Sequence, residues 1–206
     1  MSRRSIMLRR LVPGVVLVAL AVAGCGDDDS GGTAATSAPG LSPSSISATA
    51  APVGTFNDAD VTFLQMMYQH HQQAVQMADL VPSRSQDQQV IDLAADIKAA
   101  QAPEMAQMQS MLTEFGKSVP SGGDAMGHDM PGMMSPEQMS MLEGMSGPEF
   151  DRMWLEMMID HHNGAVQMAQ TEIASGANPQ AKQMAETIVS TQQREIDQMT
   201  AMLGQR

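Results

Sequence analysis

The chain predicts an all-α fold, a four-helix bundle made of two duplicated αα-hairpins joined by a long Met-rich crossover. Three observations predict it. Phe63-Leu-Gln-Met-Met-Tyr-Gln-His-His-Gln-Gln-Ala-Val-Gln-Met-Ala78 returns without a gap, 91 residues later, as Trp154-Leu-Glu-Met-Met-Ile-Asp-His-His-Asn-Gly-Ala-Val-Gln-Met-Ala169. The same offset relates Ala94, Ile97, Gln101, Glu104, Gln107, Met108, Met111 and Leu112 to Ala185, Ile188, Gln192, Glu195, Gln198, Met199, Met202 and Leu203. No strand-like alternation of useful length interrupts these helical periods.

The helices follow from their stop signals. Helix A is expected over about 58–80, with Asn57 or Asp58 as cap. Its end is expected at Val81-Pro82, because proline disfavours helix in the residue before it. The second helix is expected over about 86–115, closed by Gly116 and kinked at Pro103. The third is expected over about 148–174, closed by Ser175-Gly176, and the fourth over about 179–203, closed by Gly204. Two amphipathic hairpins bury their apolar faces most simply as a bundle. The hairpins span 58–116 and 148–204, and the 117–147 connection is long enough to cross the bundle's length, as in ferritin-like topologies.

Ahead of the 58–206 domain the chain reads as export machinery. Arg3, Arg4, Arg9 and Arg10 precede a short apolar run over 11–22, the pattern of a signal peptide over 1–24. Val22-Ala23-Gly24-Cys25 resembles the lipobox of bacterial lipoproteins, which implies cleavage before Cys25 and lipidation of its sulfur. Residues 25–57 are rich in Gly, Ser, Ala, Thr and Pro and read as a disordered tether. The expected location is therefore the outer face of the cell membrane, or the periplasm. Losing four of the 11 basic residues with the signal peptide leaves 7 against 23 acidic ones, a formal charge of −16. Such a surface excludes nucleic acid and anionic head groups as electrostatic partners. Membrane contact is expected through the Cys25 lipid alone, and no protein partner is legible.

Four of the five histidines form the two repeated pairs, and the chain holds 22 methionines against four Phe, one Tyr and one Trp. At about 100° per residue, His70 falls on the apolar half of the first helix with Met66 and Met77 beside it. His71 falls nearer the edge, one turn from Met67. His161 likewise lies with Met157 and Met168, and His162 near Met158. Glu104 and Glu195 lie on otherwise apolar faces of the second and fourth helices. A buried carboxylate needs a partner, and histidine would supply one while orienting itself as a ligand. One histidine on an apolar face is more often a hydrogen-bonded core residue, and Met stripes usually pack. Two adjacent pairs, each preceded by Met at i−4 and duplicated with their carboxylates, favour a metal. With Cys25 lipidated, thioether is the one soft donor left, and imidazole plus thioether selects copper, Cu(I) first and Cu(II) second. In the crossover, Met126, His128 and Met130 offer the same donor set within a Gly/Pro-rich loop, where packing explains methionines less well.

The doubled aromatic-x-x-Met-Met-x-x-His-His-x-x-Ala-Val-x-Met-Ala pattern resembles domain-of-unknown-function family 305 over about 58–203. The resemblance implies a ferritin-like four-helix fold in exported bacterial proteins, some of which are described as binding copper and aiding copper tolerance. It carries over to Met66, Met67, His70, His71 and Met77, and to Met157, Met158, His161, His162 and Met168. The Met-rich loop lies outside that signature. Two other functions compete with copper sequestration or handling. A ferritin-like di-metal oxidase would want Glu-x-x-His on two helices, but Met67 and Met158 stand three residues before His70 and His161. A structural or interaction module would use the His–Glu pairs only to satisfy a polar core. No Ser/His/Asp or free-Cys arrangement suggests nucleophilic catalysis, and no enzyme activity is expected.

Overall fold

Asn57 starts the folded part by closing a reciprocal cap. Its side chain accepts from the Asp60 N–H at 3.1 Å, while the Asp60 carboxylate accepts from the Asn57 N–H at 2.6 Å. From there a computed structural model describes residues 54–120 and 130–205. Among them are five helices and no strand: α1 (Asp58–Arg84), α2 (Gln88–Glu114), α3 (Pro136–Glu143), α4 (Gly147–Ser175) and α5 (Pro179–Leu203). The signal peptide, Cys25, most of the tether, Met126 and His128 lie outside the described residues. None of the described helices is long and apolar enough to cross a membrane.

Two boundaries depart from expectation. α1 does not stop at Leu80 but runs through Pro82 to Arg84. Val81 is fully buried and its carbonyl accepts from the Ser85 N–H at 2.9 Å, so packing and a closing bond outweigh the one bond that Pro82 forfeits. The second departure is α3, a helix of about two turns inside the crossover, capped reciprocally by Ser135 and Gln138. Leu142 of α3 is fully buried, and Arg84 at the end of α1 donates to the Glu143 carbonyl at 3.0 and 3.1 Å.

α1 packs on α2, α4 on α5, and α1 on α4. The last pair is antiparallel. At one end the Asn57 side chain donates to the Ser175 carbonyl at 2.9 Å, and Asp60 accepts from the Ala177 and Asn178 N–H groups. At the other end Trp154 Nε1 donates to the Met77 carbonyl at 3.0 Å. Repeat-related helices that run antiparallel in this register are exchanged by a pseudo-twofold axis. The axis crosses α1 at His70 and α4 at His161, and these are repeat-mates.

The apolar core is split by that axis. One cluster gathers Ala74, Met77, Leu93, Ile97, Phe150, Trp154, Met158 and Met199 with Met134 and Leu142 of the crossover. The other gathers Phe63, Leu64, Met67, Met108, Met111, Ala165, Met168, Met184 and Ile188. Between them lies a polar layer.

The crossover breaks the twofold likeness. It covers the α1–α4 surface on the Trp154 side, whereas the repeat-related surface on the Phe63 side is an open groove of about 560 Å³. Pro131 borders that groove together with Met66, Met168, Asp58 and Glu172.

Candidate metal centre

Helical spacing places His70 and His71 on adjacent positions of α1, and His161 and His162 on the equivalent positions of α4. All four imidazoles are fully buried. The His70 and His161 rings meet across the pseudo-axis with centroids 3.7 Å apart and planes tilted by 38°. His71 Nε2 lies 2.7 Å from Glu104 Oε2, and His162 Nε2 lies 2.7 Å from Glu195 Oε2. A carboxylate can only accept, so each of these rings donates from Nε2, and in the neutral ring Nδ1 then keeps the lone pair. His70 Nε2 donates to the Pro131 carbonyl at 3.0 Å, which likewise leaves its Nδ1 free.

One expectation is corrected here. His71 and His162 are not peripheral, because α2 and α5 close over the edge positions of α1 and α4. Their carboxylate partners are the groups that reach towards water, with side chains 18% and 13% exposed.

The electrostatics keep the inner imidazoles neutral. Burial pushes His70 down to about 3, reinforced by His71 and His162 and partly opposed by the bond to Pro131. Burial and then the neighbouring His70, His162 and His71 hold His161 well below the ordinary histidine range. Neutral imidazole is the ligating form. Five ring nitrogens in the layer have no hydrogen-bond partner: Nδ1 of His70, His71 and His162, and both nitrogens of His161. Unpaired buried polar atoms are costly in an apolar core, and a bound cation would satisfy several at once. The donor chemistry therefore fits a metal.

The layer contains a pair of residues for which helical pattern alone argued no role. Gln101 and Gln192 are each 2% exposed, and neither carboxamide has a partner on oxygen or nitrogen. Their signal was present in the repeat, since each precedes its Glu by one helical turn on a face otherwise built of Ile, Leu and Met.

The methionines divide by location. Met67 and Met158, one turn before the outer histidines, are fully buried on opposite sides of the layer. Met77 and Met157 are buried on the crossover side. Met168 is buried and Met66 half-buried, and both face the open groove. Met130 is 4% exposed and Met134 7%, so these two loop methionines do have a core to fill, contrary to expectation. Among the described residues no three His, Cys, Asp or Glu side chains converge closely enough to hold an ion by themselves. An ion in this layer would need thioether donors or a turned imidazole.

The strap Met130–Met134 fits against the layer because α4 carries glycine where it passes. A Cβ on Gly164 would overlap the Pro131 carbonyl group. Gly132 adopts φ +77°, and a Cβ there would stand 2.6 Å from the Asp160 carbonyl and 2.9 Å from that of His161. Gln73 ties the strap down by exchanging two bonds with the Met134 backbone, at 2.7 and 2.9 Å.

Residues 60–203 match the family model described as a domain of unknown function, DUF305. The chain belongs to the DUF305 family. A DUF305 fragment from Deinococcus radiodurans is 35% identical over 73% of this chain and 98% of its own, with a TM-score of 0.67. A candidate secreted DUF305 protein from Streptomyces coelicolor is 33% identical over 71% of this chain and 93% of its own, at 0.66. CopM in its Cu(II)-bound form is 29% identical over 71% of this chain and 96% of its own, at 0.63, and CopM is also known in Cu(I)-bound and Ag-bound forms. The match to the uncharacterized protein L153 of Acanthamoeba polyphaga mimivirus is 36% identical over 56 residues and spans 37% of that protein. The all-helical DUF305 fold thus agrees with the bundle expected from the sequence.

Proposed function

We propose that this DUF305 protein is an exported, lipid-anchored copper-binding protein. It would hold copper in the buried histidine layer, with thioethers from the flanking methionines, for sequestration or hand-over. The observation that carries the reading is the set of five unpartnered ring nitrogens in one layer, three of them on rings whose opposite nitrogen is already committed to a carboxylate or carbonyl. That arrangement fixes the ligating atom of those three rings in advance. The likeness to CopM, a protein captured with Cu(II), Cu(I) and Ag, supports the choice of metal. Bound copper would supply a Lewis acid that satisfies the imidazole lone pairs, while the protein's part is to keep those rings neutral, dry and oriented.

The test is copper stoichiometry, with Ag(I) as a redox-silent stand-in for Cu(I), in the wild type and in a variant with His70, His71, His161 and His162 all changed to Ala. Loss of binding in the variant is expected, and unchanged binding would remove the layer from the account. Anchoring is tested by Cys25→Ser, which should release the exported protein from membranes.

A further inference from the structure

Gln101 and Gln192 stand apart from the other buried carboxamides, Gln73 and Asn178. Gln73 is bonded through both amide atoms to the crossover strap, and Asn178 caps α5. The two layer glutamines instead bury four amide atoms that bond to nothing in the protein. Burying an unpaired amide destabilises a fold, and an apolar side chain of the same length would avoid the cost. The repeat has nonetheless kept both amides where two apolar positions changed: Val90 and Leu93 of α2 answer to Ala181 and Met184 of α5. Residues that break the local packing rule in a symmetric pair point to a ligand.

Their position narrows what that ligand contact is. Each lies one turn from the glutamate that holds an outer histidine, on the same face of its helix. A carboxamide offers a neutral oxygen, harder than thioether or imidazole, and it stays neutral whether or not an ion is present. Cu(I) is satisfied by sulfur and nitrogen, whereas Cu(II) takes a higher coordination number and accepts oxygen donors, including a weakly held amide.

We propose that Gln101 and Gln192 belong to the metal centre and supply the neutral oxygen donors that extend its range from Cu(I) to Cu(II). The inference rests on the copper reading above and adds a residue role and a preference between oxidation states.

Gln→Met preserves length and removes the hard donor, so Q101M/Q192M in the full chain is the test. Cu(II) binding is read by quenching of Trp154 and by electron paramagnetic resonance, and Ag(I) binding by competition. Cu(II) affinity should fall by roughly tenfold or more with Ag(I) affinity unchanged or tighter. The apo melting temperature should rise, because two orphaned amides are gone. Q101E/Q192E, which restores an oxygen donor, should recover Cu(II) binding. Should the double variant not fold, each single Gln→Met variant carries the same expectation. Unchanged Cu(II) affinity in a more stable protein would overturn the proposal and leave the amides as packing. An equal loss of Cu(II) and Ag(I) would overturn it too, since that marks a damaged scaffold. Wild-type protein that binds neither ion would instead strike the copper reading itself.

Discussion

His70 and His161 meet with ring centroids 3.7 Å apart because they are repeat-mates sitting on the pseudo-twofold axis that relates α1 to α4. In a duplicated antiparallel pair, positions off the axis meet some other residue of the second copy. The position on the axis meets its own counterpart. The duplication therefore brings its two histidine pairs into a single layer, and any site built there is shared between the repeats.

That sharing makes the two outer histidines equivalent in role. Glu104→Gln should weaken copper binding by about 10- to 100-fold, the usual cost of losing a carboxylate that orients a histidine ligand. Glu195→Gln should do the same within error, because the His162 bond matches the His71 bond at 2.7 Å. Competition titration of the two variants side by side checks both statements. A large difference between them would mean that the ion sits nearer one repeat.

Alkaline pH should loosen the end of the bundle where Asp60 meets Glu172. Burial, and then the hydrogen bond and charge of Asp60, push the Glu172 carboxyl up to about 8, with Lys182 opposing. Burial also works against the Asp60 carboxylate, yet the N–H groups of Asn57, Asn178 and Ala177 and the Glu172 carboxyl hold it below the ordinary value. Between the ordinary glutamate value of 4.5 and about 8, folded Glu172 keeps a proton that the unfolded chain has released. Stability contributed at this site must therefore fall as pH rises through that window and level off above it. Glu172→Gln should remove this contribution, read as the pH-dependent difference between the urea-unfolding free energies of the two proteins across that window. The difference is the readout because His70 and His161, neutral in the fold, add an opposing slope below 6.5 to both.

The strap over the layer should be sensitive to a single methyl group. Gly164→Ala places a Cβ on the Pro131 carbonyl group, so the strap must lift and release the bond to His70. Overpacking of this kind costs roughly 1–3 kcal/mol. Denaturant unfolding of the apo protein measures it, and an unchanged midpoint would show that the strap does not bear on the layer.

Trp154→Phe recreates on α4 what α1 already has at Phe63. The substitution removes the Nε1 bond to the Met77 carbonyl and part of a fully buried ring. The bond alone is worth roughly 0.5–1.5 kcal/mol, and the volume lost adds to it. The melting temperature should fall while copper binding stays intact, since the site lies off the polar layer.

What the sequence determined by itself is whatever follows from period and repetition. The 91-residue offset fixes two equivalent hairpins, the 3.6-residue period puts His70 and His161 inward, and a carboxylate on an apolar face announces that Glu104 and Glu195 need partners. Those are local properties, carried by each helix before it packs. The tertiary structure decided the rest. Antiparallel pairing of α1 with α4 brings the two inner histidines together. Closure by α2 and α5 buries His71 and His162, which a single helical wheel leaves at its edge. The same closure turns Gln101 and Gln192, unremarkable as repeat-mates, into orphaned amides inside the layer. Packing also carried α1 past Pro82 and folded α3 from a connection whose Gly and Pro content spoke against helix near its Met-rich start. Each of these outcomes depends on which surfaces meet across distant stretches of chain, and no periodicity within one segment encodes that.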